Sequence, residues 1–85
     1  MGENGVDERM ILSKQIKRLC REKGISYYEL SYKSTVPLTT LMHIIDGETK
    51  NPGLFTISKI CGGLGISLKD FFDSKEFNEI EYKTE

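Results

Sequence analysis

The sequence predicts an all-α fold of five helices in one domain. Apolar residues recur at helical spacing through every long segment, no stretch demands a strand, and Gly, Pro and Ser punctuate the chain about one helix apart. A chain of 85 residues buries a single core and rarely divides. Its 38% hydrophobic and 29% charged residues suit a compact domain facing water.

The first helix is expected over Glu8–Lys23, where Leu12, Ile16, Leu19 and Cys20 make one apolar stripe. Lys14, Lys17, Arg18 and Arg21 make a separate basic stripe, read as a solvated face or, alternatively, a nucleic-acid contact. Gly24 ends the helix by taking a left-handed conformation at little cost. Ser26-Tyr27-Tyr28-Glu29 then reads as a capping box, in which Ser26 accepts from the residue 29 amide and Glu29 reaches back to Ser26. Ile25 and Leu30 can form the hydrophobic staple of this second helix, which ends near Ser34.

Pro37 pushes Val36 out of the helical region and is welcome in a first turn, so a third helix is expected from near Pro37 to Ile45. Leu41, Ile44 and Ile45 form its buried stripe, which puts Thr39, Met42 and His43 on the other side. Asp46-Gly47 stops it, and Glu48–Pro52 is a polar loop. A fourth helix covers about Leu54–Leu64, with Leu54 or Phe55, Ile57, Ile60, Cys61 and Leu64 inward. Gly62-Gly63 weakens its last turn by roughly 1 kcal/mol per glycine relative to alanine, and Gly65 ends it. Ser67-Leu68-Lys69-Asp70 opens a fifth, short helix carrying Phe71 and Phe72. The expected organisation is a flexible acidic N-terminus (1–8), a helical domain (9–73) and a mostly polar C-terminal tail (74–85) that holds Phe77, Ile80 and Tyr82.

Several function classes are excluded at this level. No apolar run approaches the roughly 20 residues of a membrane span, and the acidic start is unlike a signal peptide, so a cytoplasmic protein is expected. Cys20 and Cys61 form no CxxC pair, and with His43 as the single histidine no metal site is expected. Neither a nucleophile–base pair nor a phosphate-binding glycine loop is present, so the chain is not expected to be an enzyme or to need a cofactor. No small-molecule ligand is evident. The net charge of −1 conceals a pattern: residues 9–59 carry +5, while both ends carry −3. A basic body with acidic ends suits a domain that meets a polyanion on one face.

Tyr27–Gly47 is the informative stretch: a short helix, a turn of about four residues, then a second helix. That is helix-turn-helix spacing, in which one helix crosses the phosphate backbone and the next enters the major groove. At these residues the chain resembles the phage-repressor/Cro-like (xenobiotic-response-element) helix-turn-helix family. The matching stretches are Ile16–Leu19, Gly24–Ser26, Glu29–Ser31, Val36–Leu41, Ile44 with Gly47, Lys50–Pro52, Ile57–Cys61, Leu64–Leu68 and Phe71-Phe72. The resemblance spans roughly residues 11–73 without gaps and implies a five-helix, lambda-repressor-like DNA-binding domain of a bacterial or phage transcriptional regulator, most simply a repressor.

Four departures from the family accompany the match. Tyr27 stands where the family commonly has a phosphate-holding Gln; its hydroxyl can still donate to a phosphate, or Tyr27 and Tyr28 are ordinary surface aromatics. Thr35 stands at the usual turn glycine, so a slightly reshaped turn is expected. Cys20 and Ile45 replace a buried Arg–Glu pair together, which keeps both positions apolar and implies that they touch. Carried over position by position, the base-contacting residues are Pro37, Leu38, Thr39, Thr40 and His43, with His43 donating to guanine and Leu38 touching a thymine methyl. None of them is bidentate, so direct readout is expected to be modest and DNA shape to matter more. Phosphate contacts fall to Tyr27, Thr49, Lys50, Asn51 and the amides near Leu54.

The expected partner is a double-stranded DNA operator, bound by a homodimer through Leu68, Phe72, Phe77, Ile80 and Tyr82. The alternative for those residues is that they fold back on their own domain. The alternative function is a helical protein-interaction module or antitoxin on the same scaffold, favoured by apolar Leu38 and Met42 on the third helix.

Overall fold

A computed structural model describes residues 8–49 and 51–78. Among them are six helices: α1 (Glu8–Lys23), α2 (Tyr27–Ser34), α3 (Leu38–Ile45), α4 (Leu54–Leu64), α5 (Leu68–Phe72) and α6 (Lys75–Asn78). The first five match the expected elements. The sixth is a single short turn within the stretch read from sequence as tail.

The local signals act largely as expected. The Ser26 hydroxyl accepts from the Glu29 amide at 3.0 Å, and Ser67 does the same for Asp70 at 3.0 Å. The reciprocal half of the capping box is not formed, because Glu29 pairs with Lys33 one turn on, at 3.3 Å. Gly24 and Gly65 take positive φ, at 67° and 75°, and end α1 and α4.

The core joins the inner faces of α1 to α5. Ile16, Leu30, Leu41, Ile44, Ile60 and Phe71 are fully enclosed, each stabilising the fold by about 1.5–3 kcal/mol relative to an exposed position. α2 packs along α4, and α3 lies against α1 and α2. Cys20 and Ile45 are both buried in this cluster, as the paired loss of charge requires. Burial pushes the thiols of Cys20 and Cys61 above the usual cysteine range, since an apolar setting disfavours thiolate.

One inward and one outward assignment need correction. Leu54 and Phe55 are both exposed, because α4 buries the 57, 60, 61, 64 stripe and its first turn projects beyond the core. Met42, placed on the outer face of α3 by sequence, is half-buried against the core instead. The buried set also includes three polar side chains: Ser13, Gln15 and Ser34. Ser13 Oγ donates to the Ile45 carbonyl, and Gln15 Nε2 donates to the Phe71 carbonyl at 2.7 Å, so α1 carries the hydrogen bonds that fix the ends of α3 and α5.

Candidate nucleic-acid interface

The turn before α3 decides where that helix points. Thr35 caps α2 in the left-handed region at φ 60° and ψ 21°. The turn thus keeps the conformation that a glycine would supply, and is not reshaped. The strain for an L-residue is about 1–2 kcal/mol. A short network of hydrogen bonds offsets it. Ser31 Oγ donates to the Val36 carbonyl at 2.7 Å, Ser34 Oγ accepts from the Val36 amide at 3.2 Å, and Thr35 Oγ1 donates to the Ser34 carbonyl. Val36 itself is buried. Gly63 of α4 backs the same turn so closely that a Cβ there would lie 2.9 Å from both Cβ and N of Ser34.

Pro37 follows as the exposed N-cap of α3, with φ −54°. Burial of Leu41, Ile44 and Ile45 on one side leaves Thr39 and His43, four residues apart, opposite it, flanked by Leu38 and Thr40. All five residues assigned to base contact are exposed. Leu38 is 39% exposed and, with Pro37, makes the apolar part of the set.

The residues assigned to phosphate contact are more scattered. Tyr27 is half-buried and shares a cleft with Lys17, Arg21 and Ser26, which places cations of the α1 basic stripe beside it. Arg18 of that stripe is engaged within its own helix, at 2.6 Å from Glu22 and 3.0 Å from Gln15 Oε1. Thr49 is half-buried and donates its amide to the His43 carbonyl at 3.2 Å. Asn51 is exposed, and Lys50 lies outside the described residues. Leu54 opens α4, whose N-cap is Gly53 with no side-chain hydrogen bond to the first amides. α2 and α5 begin under serine caps, whereas α3 and α4 begin without one. Uncapped first-turn N–H groups are the donors a phosphate oxygen uses.

The residues assigned to a dimer surface are only partly outward. Phe71 closes the core; Leu68 and Phe77 are half-buried against it; Phe72 is 37% exposed. The rings of Phe72 and Phe77 meet edge to face at 4.8 Å, so α6 folds back onto α5. Ile80 and Tyr82 lie outside the described residues. Glu48, which sequence reasoning passed over, sits 2.9 Å from His43 Nδ1. No pattern of spacing signals that contact, because it forms across the turn at Gly47.

No helix among the described residues is long and apolar enough to cross a membrane. No curated protein matches the chain. The fold is similar to the crystal structure of prophage Lp1 protein 11, with a TM-score of 0.76 and 28% identity over 87% of this chain and 97% of that one. Residues 15–76 match the model of the Cro/C1-type helix-turn-helix DNA-binding domain, and the chain belongs to that family.

Proposed function

We propose that this DNA-binding domain recognises a specific double-stranded operator with α3 in the major groove, and represses transcription by occupying it. One observation carries the reading: α3 is fixed at its entry by a hydrogen-bonded turn and presents Thr39 and His43 outward opposite a fully buried face. Phosphates on either side of the groove are met by Tyr27, Lys50, Asn51 and the free amides at Leu54. Thr39, Thr40 and His43 supply single contacts to bases, so sequence-dependent groove shape carries part of the specificity.

A single reading helix covers few base pairs, so two copies on half-sites about 34 Å apart are the simplest route to useful affinity. Exposed Phe72 is the described part of the surface available for that pairing. Selection of sites from random duplex DNA, followed by anisotropy titration at two salt concentrations, tests the reading. Binding to an enriched site that weakens steeply with salt is expected. Absent or salt-independent binding overturns it. Sedimentation of protein alone and with the selected site tests the pairing, and a monomer on a site without inverted symmetry refutes it.

A further inference from the structure

The loop after α3 folds back onto one residue of that helix. The His43 carbonyl accepts from the Glu48 amide at 2.9 Å and from the Thr49 amide at 3.2 Å. Gly47, at φ 79°, makes the reversal that allows this. The Glu48 side chain then brings Oε1 to 2.9 Å from Nδ1 of the His43 ring. Backbone and side chain of one residue thus grip both ends of another, and the gripped residue stands on the outward face of the helix proposed to read bases.

The chemistry of that contact fixes what the ring can do. A carboxylate repels the lone pair of a ring nitrogen 2.9 Å away, which favours the tautomer with its hydrogen on that nitrogen. A neutral imidazole has one donor and one acceptor nitrogen. In the neutral ring with its hydrogen on Nδ1, beside the carboxylate, Nε2 is the acceptor. In that form the ring cannot donate to guanine through Nε2, contrary to the expectation that His43 donates to guanine. In the major groove an acceptor pairs with an amino group, which cytosine presents at N4 and adenine at N6; the guanine edge offers only acceptors. Two backbone amides already hold the loop to His43, and both side chains are more than half exposed, at 51% and 61%, so the fold does not depend on the carboxylate.

We propose that Glu48 is a positioning residue that makes the neutral His43 ring a hydrogen-bond acceptor, so that in this form His43 selects cytosine or adenine at the base it meets and disfavours guanine. The proposal rests on α3 being the reading helix. Two measurements on the full chain test it, the first of them separately from that premise. Long-range 1H–15N correlation spectra of the free protein at about pH 8, above the ordinary histidine range, report which nitrogen is protonated. The Nδ1–H form is expected in the wild type, with a shift towards Nε2–H in Glu48→Ala. A wild-type ring in the Nε2–H form overturns the proposal without any DNA present.

Site selection with wild type, His43→Ala and Glu48→Ala supplies the functional arm. His43→Ala identifies the base pair that depends on the ring. At that pair Glu48→Ala is expected to lose up to about tenfold of its preference against guanine, the low end of what one mismatched base pair costs. A His43-dependent position that Glu48→Ala leaves unchanged refutes the positioning role. A wild type that enriches no site, with its ring nonetheless in the Nδ1–H form, refutes instead the major-groove reading and with it the role in base selection.

Discussion

The two connections that flank α3 are built by different means. The entry, Thr35–Pro37, is fixed by side chains: Ser31, Ser34 and Thr35 hydrogen-bond around Val36, and Gly63 of α4 packs against it from behind. The exit loop after Ile45 is held, among the described residues, by main-chain bonds from Asp46, Gly47, Glu48 and Thr49 back to Met42, Ile44 and His43 and by one exposed ion pair. Buried or crowded contacts resist change because interiors are packed near crystal density, whereas an exposed pair contributes about 0–1 kcal/mol. The helix is therefore aimed by its entry and tuned at its exit. Substitutions at the entry should affect the fold, and substitution of Glu48 at the exit should affect which DNA is chosen.

The largest effect is expected in the frame behind both connections. Cys20 and Ile45 are buried in one cluster between α1 and α3. Cys20→Arg alone places an unpaired charge there and should destabilise by about 3–5 kcal/mol, read as a fall in the denaturant midpoint. Adding Ile45→Glu should recover part of the loss, as the family's usual ion pair would. A double variant no more stable than Cys20→Arg would show that the two side chains do not meet.

The burial of both residues was legible in the sequence because each falls on the apolar stripe of its helix. The helices were legible for a simpler reason: Ser26, Pro37, Gly24 and Gly65 act on the backbone next to them, and periodicity reports one face at a time. What escaped depends on distant neighbours. Ser13 and Gln15 look like surface polar residues until the Ile45 and Phe71 carbonyls arrive beside them. Leu54 and Phe55 look like core until the first turn of α4 overshoots it. The exposed face of α3 was readable from its buried stripe, but the Glu48–His43 contact was not, since it needs the loop to reverse at Gly47.

At the level of binding, Thr39→Ala on the reading helix should change affinity unequally among operator variants, by less than the roughly 1–3 kcal/mol of a bidentate contact at the base pair it meets. Asn51→Ala in the exit loop should weaken all sequences about equally and leave selectivity intact. Both residues are exposed, so neither should move the thermal midpoint. Titrations against a panel of single-base variants distinguish the two. Uniform weakening by both would show that Thr39 touches phosphate and that α3 lies differently on the duplex.

The finest test lies in two adjacent glycines of α4, which composition alone treats as equivalent. A Cβ at Gly62 meets nothing within 4 Å. Gly62→Ala should therefore gain the helix propensity of alanine, stabilising by up to about 1 kcal/mol. A Cβ at Gly63 would lie 2.9 Å from Cβ and N of Ser34 and 3.0 Å from Cδ1 of Leu30. The Leu30 methyl can rotate aside, but the Ser34 backbone cannot yield without moving the turn that aims α3. Overpacking of this kind costs about 1–3 kcal/mol, against which alanine's propensity returns about 1 kcal/mol. Gly63→Ala should thus lower stability by about 1 kcal/mol, the opposite sign to its neighbour. It should also weaken operator binding, because shifting Ser34 disturbs its hydrogen bond to the Val36 amide and with it the entry to the reading helix. Gly62→Ala should bind as the wild type does. Urea midpoints and anisotropy on the same four proteins, with Gly62→Ala/Gly63→Ala as the fourth, decide the matter. If Gly63→Ala is stabilising and binds normally, the entry turn tolerates displacement, and the contrast between a fixed entry and a tunable exit fails.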